Sequence, residues 1–208
     1  MTTKTHNTNA RQTERLRLRQ ELAREKAKKA KRRLIHIVTA AVVIIVASLV
    51  SYGLWSARPT NSIAAEQAPA FTLKTTASTT ISLSDYRGKP VILYFNEGAG
   101  CGACTQQMAG IEKDPGFAQA GITVLPIVMN TRAQIQPDLD SMGVKTPYLL
   151  DDGTVSKAYD VLGKGMHANL PGHGFVLIDG NGIERWQAEY PSMWLDPADL
   201  LKTAQSKL

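Results

Sequence analysis

The sequence predicts an α/β sandwich built on a mixed sheet, preceded by a single N-terminal transmembrane helix. Three observations predict it. Short segments of strand character alternate with helical segments from residue 69 onward and end in a hairpin. Two of the strand segments, "VILYFN" (91–96) and "ITVLPIVMN" (122–130), are apolar on both faces, as central strands under helices are. Residues 34–55, "LIHIVTAAVVIIVASLVSYGLW", run for 22 residues without Asp, Glu, Lys or Arg.

The first 68 residues divide by composition. Residues 1–33 hold 12 Lys/Arg against 3 Asp/Glu, whereas the rest of the chain holds 12 against 15. The net charge of +6 therefore belongs to the arm, and a nucleic-acid partner is not expected. Residues 1–9 are polar and expected to be disordered, while 15–33 can be helical. A helix over 34–55 would rise about 33 Å, enough to cross a hydrocarbon core of about 30 Å. Its Thr and Ser hydroxyls can bond back to the helix backbone, and Tyr52 and Trp55 suit the far interface. Basic residues mark the cytoplasmic side, so the arm (1–33) is expected inside, the anchor spans 34–56, and everything beyond lies outside the cell membrane. The arm serves first as this topology signal, and contact with anionic lipid is a second reading. A cleaved signal peptide is the rival to an anchor, with "SIAAE" (62–66) as the cleavage site. Residues 57–68 read as a polar linker.

The domain at 69–208 follows in order. "FTL" (71–73) and "TISL" (80–83) are short strands around a polar turn. Strand 91–96 leads into a helix over 102–112, which stops near "DPG". Strand 122–130 comes next, then a helix over 133–142 ended by Gly143 and a short strand in "PYLLDD". A helix over 155–162 is ended by Gly163. "GFVLID" and "IERWQAEY" form a hairpin across Gly180-Asn181-Gly182. The last helix has Asp196 as N-cap and Pro197 in its first turn. Met108, Met129 and Met142 are expected in the core, and Trp186, Tyr190 and Trp194 in the core or at its rim.

The chain has two cysteines, Cys101 and Cys104, in "NEGAGCGACTQQM". Two are too few for a disulfide scaffold, and the acidic domain is long enough to bury a core without one. The pair has three readings: a redox couple, a structural staple or part of a metal site. Cys101 falls after a buried strand and before a helix, where free N–H groups favour a thiolate. A disulfide spanning so short a loop removes little chain entropy, so the context favours exchange over stapling.

"PAFTL", "ISLSDYRGKPVILYF", the Cys-x-x-Cys, "FVLIDGNG" and "IERW" together resemble the thioredoxin-like redoxins, in particular the extracytoplasmic thiol–disulfide oxidoreductases near the peroxiredoxin branch. The resemblance covers roughly 69–201. It implies a thioredoxin-like fold, Cys101 as the attacking cysteine and Cys104 as the resolving one. It also implies protein thiols and disulfides as partners and an electron donor or acceptor across the membrane. The dithiol carries two electrons, so no organic cofactor is called for.

Four departures bear on the site. Gly100 stands where thioredoxins have Trp, and "NEGAG" reads as a longer, more flexible loop; Gly100 is a candidate substrate contact. Thioredoxins place a cis-proline before the strand that faces the disulfide; here either Pro171 fills that place or His173 replaces it. Gly98 stands where peroxiredoxins carry Thr, which disfavours a thiol peroxidase. "GMHANLPGHGF" raises a metallochaperone alternative in which Cys101, Cys104 and His173 bind copper or zinc. Otherwise His173 shields or tunes the disulfide, His167 is an ordinary polar loop residue, and His6 and His36 have no supporting context. Glu97 is either a solvated loop residue or the base that takes the Cys104 proton.

Overall fold

The computed structural model describes residues 3–56, 60–62 and 66–208. The chain forms two compact units, Met1–Trp55 and Ser56–Leu208.

The first unit is a continuous helix, α1 (Thr3–Ser56). It includes residues 3–9, where disorder was expected; they contain neither Pro nor Gly, and a formed helix adds one backbone bond for each residue it fixes. The stretch Lys31–Trp55 contains an unburied 18-residue window with a mean hydropathy of 2.6, so by length and composition it is able to cross a membrane. Thr39 Oγ1 donates to the Ile35 carbonyl at 2.9 Å, which satisfies its hydroxyl within the apolar run. The Tyr52 and Trp55 rings lie 6.5 Å apart at its end.

The second unit is built on one eight-stranded mixed sheet. Its strands are β1 (Thr60–Ser62), β2 (Thr72–Thr75), β3 (Thr80–Ser82), β4 (Val91–Phe95), β5 (Thr123–Val128), β6 (Leu149–Leu150), β7 (Gly174–Ile178) and β8 (Glu184–Glu189). Their order is β1-β8-β7-β4-β5-β6-β2-β3, with β4–β5 and β5–β6 parallel and the other pairs antiparallel. Helices α2 (Gly102–Lys113), α3 (Pro115–Gln119), α4 (Arg132–Met142), α5 (Thr154–Ala158) and α6 (Pro197–Lys207) complete it. All five residues of β4 are buried, as its two-sided apolar run requires. Ile92, Tyr94, Phe175 and Leu177 pack on one face with Met108, Leu139 and Leu200. Val91, Leu93, Phe95, Val176 and Ile178 pack on the other with Val155, Tyr159 and Val161.

Two local results differ from the sequence reading. Part of the linker joins the sheet: Thr60–Ser62 pair with β8, and Ala68 N–H donates to the Gly182 carbonyl. The cleavage-site reading of 62–66 falls largely on residues 63–65, outside the described residues. Helix α5 ends at Ala158 rather than near 162, because Asp160 turns left-handed (φ 52°) and drives Val161 into the core. Pro126 sits inside a central strand, yet β6 pairs only with Ile127 and Val128, so its missing N–H removes no bond on that side.

The start of α5 depends on one side chain. Buried Asp151 accepts from Val155 N–H (3.0 Å), Ser156 N–H (2.8 Å) and Ser156 Oγ (2.7 Å). Asp151→Ala is expected to cost about 2 kcal/mol, read as a lower urea midpoint at an unchanged slope. An unchanged midpoint would show that this cap contributes nothing.

Candidate active site

Cys101 and Cys104 form a disulfide with their Cα atoms 5.3 Å apart. Cys101 is the N-cap of α2 and is partly exposed, whereas Cys104 is fully buried one turn on. The Cys101 sulfur accepts from the Cys104 N–H at 3.3 Å. One sulfur is therefore open to attack, and it already receives a helix N-terminal N–H of the kind that steadies a thiolate. Gly102 and Ala103 between them are exposed and present little bulk to an incoming chain.

The loop before Cys101 is wired down rather than flexible. Gly98 N–H donates to Asn96 Oδ1 (3.1 Å), Ala99 N–H to Asn130 Oδ1 (2.9 Å), Gly100 N–H to Asp138 Oδ2 (2.8 Å) and Cys101 N–H to the Gly98 carbonyl (3.0 Å). Gly98 has φ +79°, and a Cβ there would overlap the Asn130 side-chain oxygen. Glycine at this position is thus a packing requirement: no threonine fits. Gly98→Ala is expected to cost about 2 kcal/mol or more through the left-handed backbone and the displaced Asn130. Thermal unfolding of the variant checks this, and an unchanged melting temperature would refute it.

His173 is buried next to β7. Its Nδ1 lies 3.2 Å from the Tyr94 hydroxyl, and the same hydroxyl donates to the Cys104 carbonyl at 3.0 Å. The His173 and Tyr94 rings meet edge to face at 5.0 Å. Burial pushes the His173 imidazole down to about 4, so it is neutral at ordinary pH. Burial likewise pushes the Tyr94 phenol up. Pro171 is buried and bridges to Leu162, and no described peptide bond is cis. His173 is thereby linked, through the Tyr94 hydroxyl, to the Cys104 carbonyl of α2.

Glu97 is buried and not solvated. Its carboxylate accepts from Met166 N–H (2.7 Å) and His167 N–H (3.3 Å), and pairs with His167 Nδ1 (3.0 Å). Glu97 thereby fastens the 163–172 loop, with the His167 ring as one of its hydrogen-bond partners.

A second buried acid, Glu189, lies beneath the same loop with both carboxyl oxygens unpartnered. A Cβ on Gly172 would sit 2.7 Å from its Oε2, and one on Gly174 2.5 Å from its Oε1. The two glycines around His173 make room for this carboxyl. Burial pushes Glu189 up to about 7, partly opposed by Lys164 and reinforced by Asp160.

The sequence reading placed Cys101, Cys104 and His173 together, and missed Tyr94, Asn130, Asp138 and Glu189. Two signals were available for them. A tyrosine in an all-apolar strand needs a partner for its hydroxyl, and a Gly-His-Gly run implies that something approaches the backbone closely. Of the methionines, Met108 is buried, whereas Met142 is 37% exposed and lies beside Gly102. Trp194 is exposed at the rim and Trp186 is core. Among the described residues no group of three His, Cys, Asp or Glu side chains is arranged to hold a metal ion.

Residues 64–187 match the model of the AhpC/TSA family. A Mycobacterium tuberculosis protein named as a peroxiredoxin is 35% identical over 101 residues, 48% of this chain. The chain spans only 64% of that relative's length. The crystal structure of peroxidoxin BcpB from the same organism superposes with a TM-score of 0.58 at 20% identity, covering 69% of this chain and 97% of that one. A Bacteroides thetaiotaomicron protein named as a protein disulfide isomerase superposes with a TM-score of 0.54 at 26% identity, covering 71% and 94%.

Proposed function

The chain belongs to the AhpC/TSA family, and from that premise we propose that it is a membrane-anchored thiol–disulfide oxidoreductase acting on protein thiols and disulfides outside the cell membrane. The observation that carries this reading is the asymmetry of the Cys101–Cys104 disulfide: one sulfur is partly exposed at a helix N-terminus and the other is buried behind it. In the oxidising direction a substrate thiolate attacks Cys101 Sγ, the Cys101–Cys104 bond breaks, and Cys104 leaves with the electron pair and takes up a proton. A second substrate thiolate then attacks the substrate sulfur of the mixed disulfide. That step releases Cys101 as a thiolate and leaves the substrate oxidised. In the reducing direction the Cys101 thiolate attacks a substrate disulfide and Cys104 resolves the mixed disulfide. Two electrons move in either direction, and the dithiol holds both.

The anchor reading rests on α1, whose apolar stretch is long enough to span a bilayer, and on the basic arm that precedes it. A partner that supplies or removes electrons across the membrane follows from that placement. Glu97 belongs to the site as the strut of the 163–172 loop, and the exposed Gly100 next to Cys101 is the candidate substrate contact.

Thiol peroxidase is the second reading, favoured by relatives that carry the name peroxiredoxin. Against it, Asn130 fills the space that a side chain at residue 98 would need. The copper or zinc alternative has weaker support: the sulfurs are joined to each other, and one nitrogen of His173 is engaged by Tyr94.

The full chain in detergent micelles, driven by a dithiol, tests the choice. Reduction of a protein disulfide substrate faster than consumption of hydrogen peroxide or an alkyl hydroperoxide is expected. Peroxide turnover with no protein exchange would replace the first reading by the second.

A further inference from the structure

Cys104 is fully buried, and as the resolving residue it must lose a proton before it can attack. Glu97 was the sequence candidate for this base, but its oxygens are taken by the 166–167 backbone and the His167 ring. On the other side, hydrogen counting around Tyr94 fixes the state of His173. The Cys104 carbonyl can only accept, and a phenol has one proton, so the Tyr94 O–H points at that carbonyl. The 3.2 Å contact between Tyr94 and His173 Nδ1 is then a bond in which Nδ1–H donates to the phenol oxygen. Nε2 is left as a bare lone pair, buried and without a partner. A buried polar atom of this kind is costly to leave unpaired and calls for an explanation.

We propose that Tyr94 is a positioning residue that holds His173 in its Nδ1–H form, so that the bare Nε2 takes up the proton Cys104 loses during resolution. The inference rests on the thiol–disulfide reading above. In the step, the Cys104 S–H bond breaks and an N–H bond forms at Nε2. The Cys104 thiolate attacks Cys101 Sγ, the Cys101–Cys104 bond forms, and the bond from Cys101 to the substrate sulfur breaks. The substrate leaves as a thiolate with the electron pair and takes its proton from solvent. His173 returns its proton to solvent, or to Cys104 when the disulfide is reduced again.

The surroundings fit a site that is neutral at rest. From β4 the group facing His173 is Tyr94, whose hydroxyl also donates to the Cys104 backbone carbonyl of α2. From the end of β8, Tyr190 donates its N–H to the His173 carbonyl and stacks edge-on against Phe175. The glycines flanking His173 rest on Glu189, Lys164 of the same loop packs against Gly172, and Glu97 lies against Gly165. Burial keeps the imidazole unprotonated, with a value near 4, until a thiolate forms. The opposite charge of that thiolate then raises the proton affinity of the ring.

The test uses the reduced full chain in detergent micelles with the aromatic disulfide 5,5′-dithiobis(2-nitrobenzoate). It releases one coloured thiolate when Cys101 attacks and a second when Cys104 resolves. The ratio of second-phase to first-phase rate is read from pH 5.5 to 9. In Tyr94→Phe and His173→Gln this ratio is expected to fall about 100-fold at pH 6 and to return toward wild type at pH 9, where Cys104 ionises without help. A ratio unchanged, or lowered equally at every pH, would overturn the proposal and leave the exchange reading intact. Absence of both phases in the wild type would overturn the exchange reading itself. Nitrogen-15 spectra of the wild-type imidazole supply a readout independent of variant folding: a proton on Nδ1 is expected, and a proton on Nε2 at neutral pH would overturn the assignment.

Discussion

Cys101→Ser is expected to reduce protein thiol–disulfide exchange to the uncatalysed level, a loss of several orders of magnitude. The partly exposed sulfur at the start of α2 is the atom open to attack, and a serine hydroxyl neither ionises nor exchanges at neutral pH. Cys104→Ser has a different signature. Cys101 still attacks, but nothing behind it resolves the product, so mixed disulfides accumulate on Cys101. Mass analysis after alkylation reads both outcomes. Mixed disulfides trapped by neither variant would remove the exchange mechanism. Equal loss in the two variants with no adduct would point to a disulfide that only staples.

The second large effect concerns pH. Burial raises the Glu189 carboxyl from an ordinary 4.5 to about 7. The folded state therefore holds this proton more tightly than the unfolded chain, and the contribution has a definite sign. It is fully present below pH 4.5 and is lost as pH rises through about 7. The size is at most about 3 kcal/mol, from the conversion of a pKa difference into free energy. Glu189→Gln keeps the shape and removes the titration. Urea unfolding followed by fluorescence should show wild type losing stability between pH 5 and pH 8 relative to the variant. Parallel curves would contradict the buried, unpartnered state of this acid. Because the carboxyl lies against Gly172 and Gly174, its ionisation also acts on the segment that carries His173.

The architecture was legible in the sequence wherever the hydrophobic pattern was strong. The two-sided apolar runs at β4 and β5, the Gly-Asn-Gly hairpin between β7 and β8, and the Asp196–Pro197 start of α6 all appear in place. Less visible were elements whose stability comes from neighbours. β1 contains only Thr, Asn and Ser, and it is a strand because the edge of β8 offers partners. Helix α5 is short because Val161 is drawn into the core after Asp160 turns. At the site, the cysteine spacing and the strand–helix context could be read directly. Proximity across the sheet could not. Tyr94 and His173 are 79 residues apart in the chain, and their bond depends on the antiparallel register of β4 and β7, where Tyr94 faces Phe175. Glu97 was singled out for its nearness in sequence to Cys101, yet its carboxylate is held by the loop at 166–167, 69 and 70 residues away.

The most direct measurement is a redox titration of the full chain in detergent micelles across glutathione buffers of graded potential, followed by alkylation and mass analysis. The expected result is a single reversible transition in which Cys101 and Cys104 change together as a two-electron couple. A midpoint between about −270 and −120 mV would place the protein among known thiol–disulfide exchangers. A Cys101–Cys104 bond that stays closed at every potential, or that opens without re-forming, would contradict the account.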